Sequence, residues 1–134
     1  MTDRVSPAVF WAWVPVPLWT VVIFLASSVP GSELPVLPGQ SDKLVHAAVY
    51  AILGALVVRA ARLTWPHWTR ARLVAAATIF CLLYGASDEF HQSFTPKRTP
   101  DWHDLLADTI GGAIGGLLGA AILTLIFARP VRRR

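Results

Sequence analysis

The sequence predicts an all-α integral membrane protein with four transmembrane helices. Hydrophobic residues make up 54% of the 134 residues and charged residues 15%. Soluble domains average about 45–50% apolar residues, glycine included, and about 25% charged residues. The mean hydropathy is +0.52, and the apolar residues form runs near the roughly 20 residues that cross a bilayer as a helix. Disordered and collagen-like chains are excluded by this composition, and an intrachain disulfide is excluded because Cys81 is the single cysteine.

The apolar runs divide one domain, residues 1–134, into expected spans at 10–28, 43–60, 72–90 and 101–128. Pro15 and Pro17 should kink the first span, because proline removes a backbone hydrogen-bond donor. The second span is short, so His46 must be counted within it. The fourth span should begin beside Thr99, a suitable N-cap, and Pro100, a favourable first helical residue.

A cleaved signal peptide is the alternative interpretation of the first span, because Ala26, Ser27 and Ser28 form a small-residue segment. The two prolines and the long apolar stretch disfavour this interpretation. Cleavage would leave three spans and would keep every residue that is expected to face outward.

The charges predict the orientation of the spans. The loop between the second and third spans and the C-terminal tail carry eight arginines and no acid: Arg59, Arg62, Arg70, Arg72, Arg129, Arg132, Arg133 and Arg134. The other two loops and the adjoining helix ends carry three bases and six acids. Because positive residues stay on the cytoplasmic side, both termini are predicted to be cytoplasmic and the acid-rich loops to face outward. The basic residues behind the net charge of +4 are therefore explained by orientation in the lipid bilayer. No nucleic acid is expected as a partner.

Polar residues recur at helical spacing at the outer ends of the last three spans. The stripes are Lys43, His46 and Tyr50, then Tyr84, Asp88 and Gln92, then Asp101, Asp104 and Asp108. Residues three or four apart share one helix face. A carboxylate in hydrocarbon costs roughly 2.5–3.5 kcal/mol, so these faces should meet. They predict a polar cavity on the extracytoplasmic side, lined by spans two, three and four.

Glycines continue the acidic stripe of the fourth span. Small residues spaced by four let membrane helices approach closely, and this pattern is formed by Gly111, Gly115 and Gly119, with Gly112 and Gly116 beside it. The glycines predict a helix-packing face, which is also the candidate surface for a homo-oligomer.

The polar groups are compatible with acid–base chemistry on a bound anion or with metal binding. The alternative is that they only cap helix ends at the membrane–water interface. The candidate catalytic residues are Asp88, Glu89, His91 and His46. The candidate ligand-binding residues are Lys43, Arg98, Gln92, Tyr50, Asp42, Asp104 and Asp108. Lysine and arginine can hold a phosphate or carboxylate while a histidine acts as acid or base.

Metal and nucleophilic chemistry have weaker sequence support. His46, Asp88, Glu89, His91 and Asp104 are suitable ligand types, but no HExxH or CxxC spacing is present, so neither a metal nor a cofactor is predicted. A Ser-His-Asp arrangement would need Ser27, Ser28 or Ser93, and none has a nucleophile elbow around it.

Three blocks of the sequence resemble the VanZ-like family. They are Asp42-Lys43-x2-His46-x3-Tyr50, Asp88-Glu89-x-His91-Gln92-x-Phe94-x-Pro96-x-Arg98 and Asp104-x3-Asp108-x2-Gly111. The likeness covers residues 41 to about 119, and Asp108 stands where the family pattern often has Asn. The resemblance implies a small multi-pass protein of the bacterial cytoplasmic membrane. The family's namesake accompanies glycopeptide-resistance genes and is associated with low-level teicoplanin resistance.

Three functions remain open at this point. The first is an envelope protein that binds or processes an anionic ligand at the outer leaflet, such as a lipid-linked phosphate, a peptide carboxylate or a glycopeptide. The second is a membrane-embedded hydrolase or phosphatase that acts on a lipid-linked substrate. The third is a non-catalytic packing or oligomerisation module. Transport is disfavoured because the inverted repeat and broken helices of many carriers are not evident.

Overall fold

The computed structural model describes residues 6–35, 38 and 41–127, and these residues form helices without strands. The helices are α1 (Pro7–Trp13), α2 (Pro15–Ser27), α3 (Ser41–Thr64), α4 (Arg70–Gln92) and α5 (Trp102–Phe127), with a 3-10 turn at Gly31–Glu33. Four segments are long and apolar enough to cross a membrane: Pro7–Ser27, Ser41–Thr64, Arg70–Gln92 and Trp102–Ile126. The predicted all-α fold is therefore confirmed, with four helices long and apolar enough to cross a membrane. The first five residues and the arginine tail lie outside the described residues.

The first span is divided into α1 and α2 at Val14. Val14 itself keeps helical dihedrals, φ −52° and ψ −42°. The interruption arises because Pro15 and Pro17 have no N–H to donate to the carbonyls one turn earlier. The predicted effect of the prolines is therefore a helix break just before Pro15.

The helices α3 and α5 run parallel and form the centre of the bundle. A Cβ on Gly111, Gly115 or Gly119 would meet α3 at Ala47, Ala51 and Ala55 in turn. At Gly115 that Cβ would overlap the backbone of Ala51, so the helices approach more closely than any side chain allows. Short separation increases the van der Waals contact that holds helices together in lipid.

The second glycine row of α5 accepts α4. A Cβ on Gly112 would lie 2.5 Å from the Cβ of Cys81, and one on Gly116 would lie 3.5 Å from the Cβ of Ala77. The two rows therefore pack on two different helices of the same chain. A homo-oligomer through this face stays a prediction, and it would have to form beside or in place of these intrachain contacts.

Two polar contacts attach α2 to the side of this core. The indole Nε1 of Trp19 donates to the carbonyl of Val49 at 3.0 Å, and the hydroxyl of Tyr84 donates to the carbonyl of Thr20 at 2.6 Å. The outer face of α2 is apolar and exposed, with Leu18 62% accessible. Exposed apolar side chains on this scale mark a lipid-facing surface in a chain of such hydropathy.

The bundle has one arginine-bearing end and one polar end. At the first end Trp13 donates to Thr64 at 2.8 Å, which places α1 beside the α3–α4 turn. Since α5 runs parallel to α3, its C-terminal end lies there as well. The C-terminal ends of α2 and α4 and the N-terminal ends of α3 and α5 meet at the other end. Which end faces the cytoplasm stays a prediction from the charges.

Replacing Gly115 by leucine should destabilise the bundle, because the side chain would have to displace the backbone of Ala51. We expect Gly115→Leu to lower the free energy of unfolding by about 3 kcal/mol, measured as a lower melting temperature in detergent. The matched control is Ile114→Leu, whose side chain is 48% exposed on the same helix and should leave stability unchanged. Equal melting temperatures for the two variants would contradict the packing described.

Candidate functional site

A cavity of about 560 Å³ opens at the polar end of the bundle. It lies between α2, α3 and α4, and its polar lining residues are Ser27, Asp42, His46, Tyr50, Asp88, Gln92 and Arg98. The expected lining by spans two, three and four was wrong in one respect, because α2 replaces α5. The glycine rows bring α5 close to α3 and α4, whereas α2 packs on the core through larger side chains such as Trp19.

The ammonium group of Lys43 joins the start of α3 to the start of α5. Its Nζ lies 3.0 Å from Asp42 Oδ2, 2.8 Å from Asp101 Oδ2 and 2.6 Å from Asp104 Oδ1. Three carboxylates thus share one cation, and Lys43 is absent from the cavity lining. The structure gives Lys43 a role in joining helices, and Arg98 is the basic residue that reaches the cavity.

His46 connects the cavity to the buried acids of α5. Its Nδ1 lies 3.0 Å from Asp108 Oδ1, and its Nε2 lies 3.9 Å from Asp104 Oδ2. Asp108 is 0% exposed, and neither Asp104 nor Asp108 is among the residues that line the cavity. Gly85 makes room for this arrangement, because a Cβ there would lie 3.0 Å from Asp108 Oδ2. Sequence reasoning missed Gly85, which follows an apolar run without any motif.

Glu89 ties the end of α4 to the start of α5. Its Oε2 accepts a hydrogen bond from the backbone N–H of Asp101 at 2.7 Å. Its Oε1 is buried without a hydrogen-bond partner among the described residues. One oxygen therefore positions the helix ends, and the other remains available inside the protein.

Asp88 is held by hydrogen bonds from two helices. Ser27 Oγ donates to Asp88 Oδ1 at 2.5 Å, and Gln92 Nε2 donates to Asp88 Oδ2 at 3.0 Å. Sequence reasoning considered Ser27 as a nucleophile and as part of a cleavage site, and not as a partner of Asp88. Its position as a small polar residue in the apolar first span was the signal that this span also reaches the polar end.

His91 points away from the other candidate catalytic residues. Its Nε2 lies 3.0 Å from Ser28 Oγ, and its ring lies 4.3 Å from that of Phe24. Ser27 contacts Asp88 while Ser28 contacts His91, so the described structure does not join a serine, a histidine and an aspartate in one triad. Asp88, Glu89 and His46 lie at the cavity or directly behind it.

A tight contact between two loops places Arg98. The backbone N–H of Gly31 donates to the carbonyl of Pro96 at 3.0 Å, and a Cβ on Gly31 would overlap the carbonyl of Lys97. Lys97 adopts a left-handed φ of 57°. Arg98 then donates to the carbonyls of Ala26 and Val29 at 3.3 and 3.4 Å. The sequence carries no motif from which this loop contact could be predicted.

Buried acceptors and donors remain without partners around His46. They are the hydroxyl of Tyr50, Glu89 Oε1 and Asp108 Oδ2. Tyr50 is 1% exposed and is one of the residues that line the cavity. His46, Glu89 and Asp108 each offer a donor atom within 4.8 Å of the others. These three residues are therefore the described set that could hold a metal ion.

The ion pair of Asp101 should make stability depend on acid pH. Its hydrogen bond from Lys43 keeps the pKa of Asp101 below its ordinary value of 3.8. A lowered folded-state pKa contributes stability above the ordinary value, and this contribution disappears as the pH falls through the folded-state pKa. We expect the melting temperature of the wild type to exceed that of Asp101→Asn at about pH 5, and the difference to shrink toward about pH 3. A difference that stays constant over this range would contradict the assignment.

Comparisons with known proteins identify the family of the chain. A family model described as VanZ/LLP1 matches residues 10–126. No curated protein and no solved structure matches the chain. The matched region includes all of the first span except its first three residues, the other three spans and every residue of the polar end, and it confirms the resemblance noted in the sequence. The chain therefore belongs to the VanZ/LLP1 family.

Proposed function

We propose that this multi-pass membrane protein binds an anionic amphiphile of the cell envelope in the cavity between α2, α3 and α4. The single observation that carries the proposal is the mixed lining of this cavity. Its apolar wall contains Ile23, Leu34, Val45 and Val49, and its polar residues include Tyr50 and Arg98. An acyl or polyprenyl chain fits the first part, and a charged headgroup fits the second.

Arg98 is the group that favours an anionic headgroup. Among the described residues it donates only to backbone carbonyls and forms no ion pair. Because no carboxylate of the described residues neutralises this guanidinium, it is available to pair with a phosphate or carboxylate of the ligand. Lys43 does not compete for the ligand, because three carboxylates already surround it.

Tyr50 supplies a directional contact for the same headgroup. A buried hydroxyl without a partner costs about 1–3 kcal/mol relative to a satisfied one. A phosphate or carboxylate oxygen in the cavity would accept its hydrogen bond and remove this cost. The tyrosine therefore lowers the stability of the free protein and strengthens ligand binding.

The side of the membrane follows from the distribution of charges. The arginine turn lies at the opposite end of the bundle from the cavity, and positive loops stay in the cytoplasm. This orientation, which is a prediction from the charges, favours a ligand in the outer leaflet of the bacterial cytoplasmic membrane. Lipid-linked phosphates, peptide carboxylates and glycopeptides such as teicoplanin all present anionic groups there.

Replacing Tyr50 by phenylalanine separates ligand binding from stability. We expect Tyr50→Phe to weaken the binding of dodecyl phosphate about 10- to 100-fold, because a hydrogen bond to a charged group is lost. Its melting temperature should stay equal or rise, because an unpartnered hydroxyl is removed. Both quantities are measured on protein in nanodiscs, by calorimetric titration and thermal unfolding.

The matched control is Tyr84→Phe. The hydroxyl of Tyr84 donates to Thr20 at 2.6 Å and lies outside the cavity lining, so this variant should lose stability and keep its affinity. Dodecanol, which lacks the phosphate, should bind weakly to the wild type. Equal affinity of the wild type for dodecanol and dodecyl phosphate would contradict an anionic ligand, and teicoplanin in the same titration tests the glycopeptide alternative.

A membrane hydrolase or phosphatase is the second candidate function, favoured by the contact between His46 and Asp108. His46 lines the cavity, and a buried carboxylate 3.0 Å from its Nδ1 would orient the ring as a general base. This function requires release of phosphate from a polyprenyl phosphate or pyrophosphate by the purified protein. Turnover that His46→Gln leaves unchanged would exclude His46 as the base.

A further inference from the structure

We propose that His46, Glu89 and Asp108 form a binding site for one divalent transition-metal ion. The three residues come from α3, α4 and α5, and one donor atom of each lies within 4.8 Å of the other two. This inference goes beyond the proposed amphiphile site and does not depend on it. Its residues lie behind the cavity wall that His46 forms.

The buried oxygens without partners are an independent indication of a ligand. Glu89 is 7% exposed and Asp108 is 0% exposed, and Glu89 Oε1 and Asp108 Oδ2 have no hydrogen-bond partner in the described chain. The other oxygen of each carboxylate has a partner. Glu89 Oε2 accepts from the N–H of Asp101 at 2.7 Å, and Asp108 Oδ1 lies 3.0 Å from His46 Nδ1. Each acid is thus held in place while one oxygen stays free to bind an ion.

The charges around these acids also favour a cation. Lys43 contacts Asp42, Asp101 and Asp104, and no permanent cation of the described residues lies within ion-pair distance of Glu89 or Asp108. Two buried carboxylates without a cation are unfavourable, because burial removes the water that would stabilise their charges. A divalent ion would neutralise both acids from a single position.

The donor set indicates the class of metal. One donor atom of each residue lies within 4.8 Å of the other two, which is close enough for one ion with metal–ligand bonds of roughly 2.0–2.2 Å after small side-chain rotations. One imidazole nitrogen with two carboxylates suits Zn²⁺, Mn²⁺ or Fe²⁺, whereas Ca²⁺ and Mg²⁺ prefer oxygen alone. His46 lines the cavity, which offers the ion a route to the site.

Metal binding can be measured directly on the full chain. The protein, purified in detergent and stripped with EDTA, is titrated with Mn²⁺ followed by paramagnetic resonance, and its Zn²⁺ content is measured by elemental analysis. We expect one ion per chain and a melting temperature that rises with Zn²⁺, since the ion binds only the folded state. Asp108→Asn and Glu89→Gln should each weaken binding by more than the roughly 10- to 100-fold that loss of an outer-shell partner causes.

The control variant is His103→Gln, which removes an exposed histidine 2.8 Å from Asp101. It should bind metal as the wild type does. Gel filtration checks that each variant is folded. The two carboxylate substitutions lie on different helices, and one of the two variants in folded form is enough for the test. A wild type that binds no metal, or equal metal binding by the wild type and the folded carboxylate variants, would overturn the site.

The test also separates this site from the amphiphile site. Dodecyl phosphate binding is measured with EDTA and with Zn²⁺ on the same preparation. Phosphate binding by a chain that binds no metal would overturn the metal site and leave the proposed function standing. Metal binding by a chain that does not bind the phosphate would overturn the proposed function and support the metal site.

Discussion

The close approach of α5 to α3 and α4 is the contact on which the polar end depends. Helices in lipid gain little from burying apolar surface, so they associate through packing and polar contacts. Glycine rows such as Gly111, Gly115 and Gly119 remove the side chains that would separate the backbones. The same short separation carries Asp104 and Asp108 to Lys43 and His46, so apolar packing in one half of α5 positions the charges in the other half.

The polar end contains one cluster whose charges are paired and a second cluster in which buried polar groups lack partners. Around Lys43, three carboxylates share an ammonium, and this network joins two helix starts. Around His46, two buried carboxylate oxygens and the Tyr50 hydroxyl lack partners. Unsatisfied buried groups lower the stability of the folded protein. Their concentration next to a cavity distinguishes this region from the rest of the bundle. A binding function accounts for their placement because a ligand or ion would satisfy them.

The first span completes the site although it contains no charged residue. It packs on the core through Trp19 and Tyr84, without a glycine seam, and the space left beside it is the cavity. Ser27 then reaches Asp88 from this helix. The difference between tight and loose helix contacts therefore decides on which side of the bundle the cavity opens.

The sequence alone determined the all-α membrane fold, the four spans and the set of polar residues at one end, because hydropathy and helical spacing are local properties. It also determined the glycine face of α5. Only the tertiary structure decided how charges pair, since contacts such as Glu89 with Asp101 depend on where helix ends meet. The metal candidates are an example, because His46, Glu89 and Asp108 come from three helices and form no local motif. The tertiary structure likewise decided which helices the glycine rows contact, and this arrangement leaves α2 lining the cavity and α5 behind it.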